Sequence, residues 1–574
     1  MKLKDYKNLL EAIAAASPDA PFVTMWHGDQ TPEYEVLTFR EFMHLAQGYG
    51  SYYCLRGIRP GNTIVIAMPQ GIPLMAAFVG ALLVGAVPSI LAYPTFKIDP
   101  EKYRHGLSGV TENLKASLVV FDEDFPQDLL EYLASYGDER LVQIKEPGAG
   151  GRQEEITWHQ PGPDDVAFLQ HSSGTTGLQK GVALTHGAVL RQLQALSESL
   201  HLTARDRIVS WLPLYHDMGL IACFILPLVC HLQVIMESPT YWVLRPGSML
   251  HLATKFQATL CWLPNFSFQF LARRVHPEER GRLDLSSMRA IINCSERVRF
   301  QSMEEFYQAY RSSGLSRSAL QTSYAMAENT FAVTQSRLDG TALPTTIWVE
   351  SRTLKDSGRV KLVANRSADA LPLTSSGTCL VDNFVKIIGQ KGEPLEEGHL
   401  GEILVSSNSL FQGYYNRPDL TRKRLRAGWF RTGDTGLLWK GELYVLGRLD
   451  DLIIVGGKNI YPHDIEEIVA SHPSIKDGRT VALGLFNPEL GTQDLVIVAE
   501  VQNKGLLEHR LEIQNEIRRA ILGEIGVAPR SVYLVPPKWI VKSTSGKLAR
   551  SHNLEKLLME NPALRPAQKE SASR

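Results

Sequence analysis

The sequence predicts a mixed α/β protein: a large N-terminal region of parallel-sheet α/β subdomains with a small β-barrel, followed by a smaller α+β C-terminal domain. Three observations carry this expectation. Through about the first 370 residues, short apolar runs alternate with helical stretches, the pattern of strands and crossover helices in parallel sheets. After Leu371 closely spaced β segments punctuated by glycine take over, a spacing that suits a small barrel or distorted sheet. Beyond Asp450 helix and strand patterns alternate again. A chain of 574 residues has length for roughly three or four domain-sized units. The expected division is into α/β subdomains 1–160 and 161–370, a β subdomain 371–447, a C-terminal domain 451–560 and a frayed polar tail 561–574.

Taken in order, the first twenty or so residues mix charges of both signs and lack an apolar core followed by a cleavage site, so no secretory signal is expected. The uncharged run from Ile64 to Phe96 invites a membrane-spanning reading. Pro69, Gly71, Pro73, Gly80, Gly85 and Pro88 instead divide it into a strand (Ile64–Met68), a buried helix (Leu74–Val84) and a second strand (Val87–Leu91). Strands buried on both faces of a parallel sheet read as such near-continuous hydrophobe. The Pro/Gly-rich patch Pro147–Gly151 separates this block from the next. The later β segments include Phe384–Ile388, Glu402–Val405 and Leu443–Leu446. In the C-terminal part a helix is expected near Asp464–Ser471 and strands at Val481–Leu485 and Leu495–Val501. An amphipathic helix carrying Ile513, Ile517 and Ile521 at helical spacing follows.

Composition narrows function. Lys and Arg number 60 against 61 for Asp and Glu, which lacks the basic footprint of a nucleic-acid binder. The six cysteines, Cys54, Cys223, Cys230, Cys261, Cys294 and Cys379, form no Cys-x-x-Cys pair and meet no histidine cluster at zinc spacing. Reduced, mostly buried thiols suit a cytoplasmic enzyme.

The most informative local signal runs Ser172-Ser173-Gly174-Thr175-Thr176-Gly177-Leu178-Gln179-Lys180-Gly181, after the apolar run Val166–Leu169. Glycines and hydroxyl residues let backbone N–H groups and side chains close around phosphate oxygens, and Lys180 adds a positive charge. The loop departs from a Walker A template, with Gln179 where glycine is required and Gly181 where a magnesium-holding Ser or Thr belongs. A flexible surface turn is the alternative, but two hydroxyl pairs, three glycines and a lysine exceed what a turn needs.

That loop resembles the phosphate-binding signature of the adenylate-forming superfamily of acyl-CoA synthetases, non-ribosomal adenylation domains and luciferase. Further segments follow in the family's order. Tyr324-Ala325-Met326-Ala327-Glu328 resembles the segment whose ring sits against adenine and whose glutamate assists magnesium. Trp429-Phe430-Arg431-Thr432-Gly433-Asp434 resembles the one whose aspartate binds both ribose hydroxyls. Gly447-Arg448-Leu449-Asp450-Asp451 is similar to the hinge (448–450), where the arginine approaches the ribose and Asp450 is the pivot of a mobile C-terminal domain. Lys542-Ser543-Thr544-Ser545-Gly546-Lys547 is similar to the loop carrying the catalytic lysine. Singly, Asp434 reads as a turn former, Lys547 as a solvated lysine and Arg448 as half of a surface ion pair. Five motifs in one order outweigh those readings.

The resemblance implies that ATP activates a carboxylic acid as acyl-AMP. Both reactants are anions, so the barrier lies in bringing like charges into line. Lys547 would bridge carboxylate and α-phosphate. Mg2+, helped by Glu328 and Thr175, would neutralise the pyrophosphate, whose oxygens Thr175, Thr176 and Lys180 hold. The implied nucleotide set comprises Ser172, Ser173, Gly174, Thr175, Thr176, Gly177, Lys180, Ser295, Glu296, Tyr324, Ala325, Met326, Asp434 and Arg448.

The acid pocket is expected around His216, Asp217, Met218, Asn265 and Phe266. The His-Asp-Met-Gly-Leu form at 216–220, Leu263–Phe268, Asp284–Ser287, Asn293–Glu296 and Asn459–Glu466 all resemble the fatty acyl-AMP ligase branch. Cys294-Ser295 stands where the family usually has Gly-Ala, and Ala325 where it has glycine after tyrosine. The segment Phe331–Leu371 resembles the additional region of that branch, with an exposed polar connector as the alternative. The branch hands its acyl group to the phosphopantetheine thiol of an acyl carrier protein. A CoA ligase for fatty or aryl acids is the second reading, and a catalytically silent binding module the third.

Overall fold

The computed structural model describes residues 3–94, 100–135, 137, 139–144, 158–172, 180–338, 344–365, 367, 369–449, 451–455, 458–487, 492–542 and 548–564. Ser173–Gly177, Asp450 and Lys547 lie outside the described residues, as do Pro147–Gly151 and most of the tail.

The fold is the mixed α/β architecture that the sequence predicts. A seven-stranded sheet runs in the order Gly413–Tyr414, Lys180–Thr185, Val166–Ser172, Val87–Ile90, Thr63–Ala67, Leu118–Asp122, Leu141–Ile144. Every residue of Thr63–Ala67 is buried, and the helix Ile72–Leu83 exposes only Pro73. The apolar run is therefore a strand-helix-strand unit between layers. Among the described residues no helix is long and apolar enough to cross a membrane.

A nine-stranded sheet has the order Thr378–Cys379, Ala332–Gln335, Leu320–Ala325, Ala290–Cys294, Leu260–Pro264, Arg207–Ser210, Gln233–Met236, Pro21–Trp26, Tyr34–Thr38. From Leu320–Ala325 through Pro21–Trp26 all neighbours are parallel. In such sheets ligands collect where the strands end. Here the ends are Ala325, Cys294, Pro264, Ser210 and Met236, side by side.

The two sheets do not divide the chain near residue 160, as the texture of the sequence suggests. Residues 21–38 complete the nine-stranded sheet, and residues 166–185 belong to the seven-stranded one. Apolar periodicity identifies strands but not which distant strand each one pairs with.

The β region is a five-stranded antiparallel sheet, Asn383–Ile388, Gly401–Ser407, Trp429–Trp439 and Leu425–Arg426 with Glu442–Arg448 on Trp429–Trp439, rather than a closed barrel among the described residues. Register shifts at Glu402/Leu404 and Thr435/Gly436 bend the long strand so that one strand serves three neighbours. The region around residues 344–374 is a folded unit and not a bare connector. Thr346–Glu350 pairs with Ala370–Thr374, the helix Ser351–Ser357 lies between them, and Trp348 meets Phe300 edge to face at 5.8 Å.

The C-terminal part holds a three-stranded sheet, Ile475–Asn487, Thr492–Val501 and Ser531–Val535, packed by helices Pro462–Ala470 and Arg510–Ile525. Ile513, Ile517 and Ile521 are the buried residues of the latter helix, as their spacing predicts. Ion pairs among the described residues join this part to the nine-stranded-sheet region, including Arg297–Asp464 at 3.0 Å, Arg299–Glu467 at 2.9 Å and Arg273–Asp477 at 2.8 Å.

Candidate active site

Tyr324 stands near the end of its parallel strand with its ring buried, and its hydroxyl donates to Asp434 Oδ2 at 2.6 Å. Burial and the Asp434 charge both hold the phenol far above its ordinary pKa, so it remains a donor. Asp434 is oriented from its own turn, its N–H donating to Thr432 Oγ1 at 2.9 Å. Gly433 before it has φ +75°, and a Cβ there would sit 3.0 Å from the Arg424 guanidinium. Arg448 pairs opposite Asp434 in the antiparallel ladder and places Nε 3.3 Å from Oδ1. Two antiparallel strands and the end of a parallel strand thus meet at one carboxylate.

Ala325 ends the strand, and Met326 N–H donates to Phe331 O at 2.9 Å, closing a tight turn around Glu328. Asn329, fully buried, fixes this turn by donating to Ala332 O and Asn383 Oδ1, each at 2.9 Å. Thr330 takes φ +63°, an uncommon conformation that the surrounding bonds maintain. The Glu328 carboxylate accepts from Tyr414 at 2.7 Å. Lys180 Nζ lies 5.3 Å from the centre of the same Tyr414 ring. Burial lowers the Lys180 pKa, Glu328 counters this, and Arg424, Arg448 and Arg417 reinforce it. The described end of the phosphate-binding signature therefore lies beside Glu328 and a group of three arginines.

Where the sequence places the acid pocket, Asp217 accepts Met218 N–H at 2.8 Å and caps the π-helix Met218–Ile225, whose eight residues are all buried. His216 donates its backbone N–H to Pro213 O at 3.2 Å, and its ring lies 4.7 Å from Tyr215. Gly219 packs so closely that a Cβ would fall 2.2 Å from Pro213 O. Ser295 adopts φ +69° at its strand end and directs Oγ toward Met218 Sδ at 3.7 Å. Glu296 accepts Phe266 N–H at 3.0 Å. Asn265 accepts from Asn293 Nδ2 and Arg299 N and donates to Ser302, a network that fixes its buried side chain. Phe266 faces the stacked pair Trp211–Trp242, whose centroids are 3.8 Å apart.

Lys542 and Leu548, which flank the segment containing Lys547, pair as an antiparallel bridge. Burial lowers the Lys542 pKa with help from Arg479, while Glu296, Asp477 and Glu500 oppose it. Lys542, at the base of that segment, therefore lies within reach of the Glu296 charge. Leu449 donates its N–H to Gly433 O at 2.8 Å, and Asp451 pairs with Arg550 at 3.2 Å. Position 450 is thus flanked by one residue tied to the β region and one tied to the C-terminal part.

Several described residues escaped the sequence reading, Trp242 of the indole stack among them. Tyr414, which holds Glu328, belongs to no motif singled out above. Glu237 follows an apolar strand directly, and an acid in that position is the only hint of its burial.

A model of AMP-binding enzymes matches residues 10–415. The chain is 31% identical over 542 residues to a long-chain-fatty-acid–AMP ligase of Mycobacterium marinum, covering 86% of this chain and 84% of that one. It is 30% identical over 513 residues to a medium-chain-fatty-acid–[acyl-carrier-protein] ligase of Moorena producens, covering 85% and 84%. A 4-hydroxyphenylalkanoate adenylyltransferase of M. marinum is 29% identical over 534 residues, covering 89% and 83%. Among solved structures, one from work on fatty acyl-adenylate ligases of E. coli and L. pneumophila superimposes with a TM-score of 0.87 at 26% identity, covering 98% of this chain and 99% of that one. The sequence match spans both the strand-end row and the turn that holds Glu328, and the structural match extends over the C-terminal part as well. This chain therefore belongs to the AMP-binding enzyme family and is an adenylate-forming ligase.

Proposed function

We propose that the chain activates a medium- or long-chain fatty acid as acyl-AMP, releasing pyrophosphate, and passes the acyl group to the phosphopantetheine thiol of an acyl carrier protein. The observation that carries this reading is the contrast between the two ends of the strand-end row. At one end Tyr324, Asp434, Arg448, Glu328 and Lys180 gather hydroxyl, carboxylate and cationic groups. Toward the other, the buried Met218–Ile225 helix and the Trp211–Trp242 stack offer an apolar wall. Asp217 caps its own helix with a carboxylate oxygen, which supports a substrate without an ammonium group.

In this reading Asp434 accepts the ribose hydroxyls with Arg448 beside it, while the Tyr324 ring flanks the adenine. Lys180, Ser172, Ser173, Gly174, Thr175, Thr176 and Gly177 hold the phosphates. A carboxylate oxygen of the acid attacks the α-phosphorus, and pyrophosphate leaves with the electrons of the broken P–O bond. Lys547 holds both anions together, and electrostatic stabilisation of this kind is usually the largest single term in catalysis. The described oxygens there are the Glu328 carboxylate and the Tyr414 hydroxyl that donates to it, a set that fits Mg2+, an ion commonly bound by one or two carboxylates plus substrate phosphates. Bound there, Mg2+ would offset phosphate charge. The thiol then attacks the acyl carbon, loses its proton and expels AMP.

The aromatic lining of Trp211, Trp242 and Phe266 also supports an aryl-alkanoic acid, the substrate class named for one relative. The test is pyrophosphate release over a panel of fatty and aryl acids, followed by transfer to free CoA or to a holo carrier protein. Equal or better transfer to CoA would overturn the carrier-protein assignment. Pyrophosphate release with aryl acids alone would overturn the fatty one.

A further inference from the structure

Tyr414 ends the two-residue strand Gly413–Tyr414, within a segment that grips two parts of the candidate site at once. Gly413 and Tyr414 pair with Ala183 and Val182 of the strand that begins at Lys180. On either side, Gln412 N–H donates to Ala183 O at 2.9 Å and Tyr415 N–H to Gly181 O at 2.8 Å. Phe411 N–H meanwhile donates to Glu328 O at 2.8 Å, and the Tyr414 hydroxyl to Glu328 Oε1 at 2.7 Å. One short segment therefore holds the Glu328 turn by main chain and side chain while it is zipped to the Lys180 strand. Thr421 Oγ1, from the helix Pro418–Arg424, accepts Tyr414 N–H at 2.9 Å and fixes the tyrosine from behind.

The Tyr414 side chain is buried, whereas Glu328 and Lys180 are each partly open. A carboxylate only accepts, so the phenol proton lies toward Glu328. Burial and the Glu328 charge hold that phenol far above its ordinary pKa, which keeps it a donor. With one oxygen engaged in this way, the Glu328 carboxylate keeps its second oxygen for a cation. Lys180 Nζ stands 5.3 Å from the ring centre, within the range at which an aromatic face attracts an ammonium. Glu328 acts on the Lys180 charge, yet among the described residues the two form no direct ion pair. Closing on each other, they would take a cation from the phosphates and a carboxylate from the metal in one step. A neutral ring seats the ammonium without cancelling its charge.

Resting on the acyl-AMP-forming reading above, we propose that Tyr414 is a positioning residue for that reaction: its hydroxyl aims the Glu328 carboxylate at the Mg2+ that accompanies ATP, while its ring keeps Lys180 apart from Glu328. Tyr414 acts only through those two residues.

The experiment measures equilibrium binding of α,β-methylene-ATP, which cannot release pyrophosphate, with saturating Mg2+ and with a chelator. The ratio of the two affinities is the gain due to the metal, and because both come from one preparation it does not depend on how much of a variant is folded. Tyr414→Phe keeps the ring and should cut that gain by about ten- to hundredfold, the usual effect of removing a group that orients a metal ligand. Its metal-free affinity should stay at the wild-type level, because Lys180 remains seated. Glu328→Gln should lose the gain by itself, and adding Tyr414→Phe to it should change nothing further. An undiminished gain in Tyr414→Phe, or a further loss in the double variant, overturns the role of the hydroxyl. An equal fall with and without Mg2+ overturns the assignment as well, since it would mean general damage to the nucleotide site. Wild-type protein that fails to bind the analogue under either condition would instead reject the acyl-AMP-forming reading itself.

Discussion

The Tyr324 hydroxyl and the Asp434 carboxylate lie 2.6 Å apart, joining the end of a parallel strand to the middle of an antiparallel one. With Arg448 at the other oxygen, Asp434 is held in a single orientation by two side chains from different elements. A carboxylate fixed in this way can receive two hydroxyls without first losing side-chain freedom.

Asp434→Ala should therefore chiefly weaken ATP binding. Each lost hydrogen bond to a charged acceptor costs about 1.5–3 kcal/mol, so the KM for ATP should rise tenfold or more, by roughly 1.4 kcal/mol per decade. Pyrophosphate-exchange kinetics over a range of ATP concentrations measure it. An unchanged KM would make Gly433-Asp434 a turn and nothing else.

Lys547→Ala should slow acyl-AMP formation by about a hundred- to thousandfold, the usual loss when a transition-state charge partner is removed. ATP affinity should fall much less, because Asp434, Arg448 and Lys180 remain. Single-turnover formation of acyl-AMP, set beside equilibrium ATP binding, separates the two effects. An unaltered adenylation rate removes Lys547 from the chemistry.

Asp450→Pro tests the pivot. Position 450 lies between Leu449, bonded to Gly433, and Asp451, paired with Arg550. Proline fixes φ and removes the N–H, so it should leave adenylation largely intact and sharply slow thiol transfer. The two half-reactions are assayed separately, with purified acyl-AMP supplied for the second. Equal losses in both would point to damage around Arg448. Undiminished transfer would show that rotation at this residue is not needed.

Glu237 also predicts a pH dependence of stability. Its carboxyl is raised by burial from an ordinary 4.5 to about 8. The native state then binds a proton that the unfolded chain releases. Its contribution is complete below pH 4.5 and is lost as pH rises toward 8. Within that window stability should fall by up to about 1.4 kcal/mol per pH unit. Glu237→Gln should show a shallower fall in urea midpoint over the same range. Parallel curves for the two proteins would mean that Glu237 is ionised in the native state.

Much of this architecture was legible from local pattern. Thr63–Ala67 and the isoleucines of Arg510–Ile525 declare themselves by apolar runs and by helical spacing, because their burial depends on period alone. Tyr324, Glu328, Asp434 and Arg448 were legible through motif resemblance, and the structure brings Tyr324, Asp434 and Arg448 into contact. Tyr414 was not legible, because its bond to Glu328 spans 86 positions and leaves no local trace. Nor was the open β sheet, since the register shifts that bend Trp429–Trp439 arise from pairing on both of its edges.

The exchange of strands between the two large sheets sets a timetable for synthesis. Pro21–Trp26 hydrogen-bonds to Gln233–Met236, with Val23 opposite Val234. A ribosome adding about 5–20 residues per second needs some tens of seconds between making the first strand and making its partner. For that interval Phe22, Val23 and Met25, all destined for the interior, have no native neighbour on that edge. Separation in the chain slows closure of such pairings, so this nascent strand stays open to other contacts longer than strands whose partners are near in sequence. For the same reason a fragment ending near residue 160 would retain this strand without the edge that it completes.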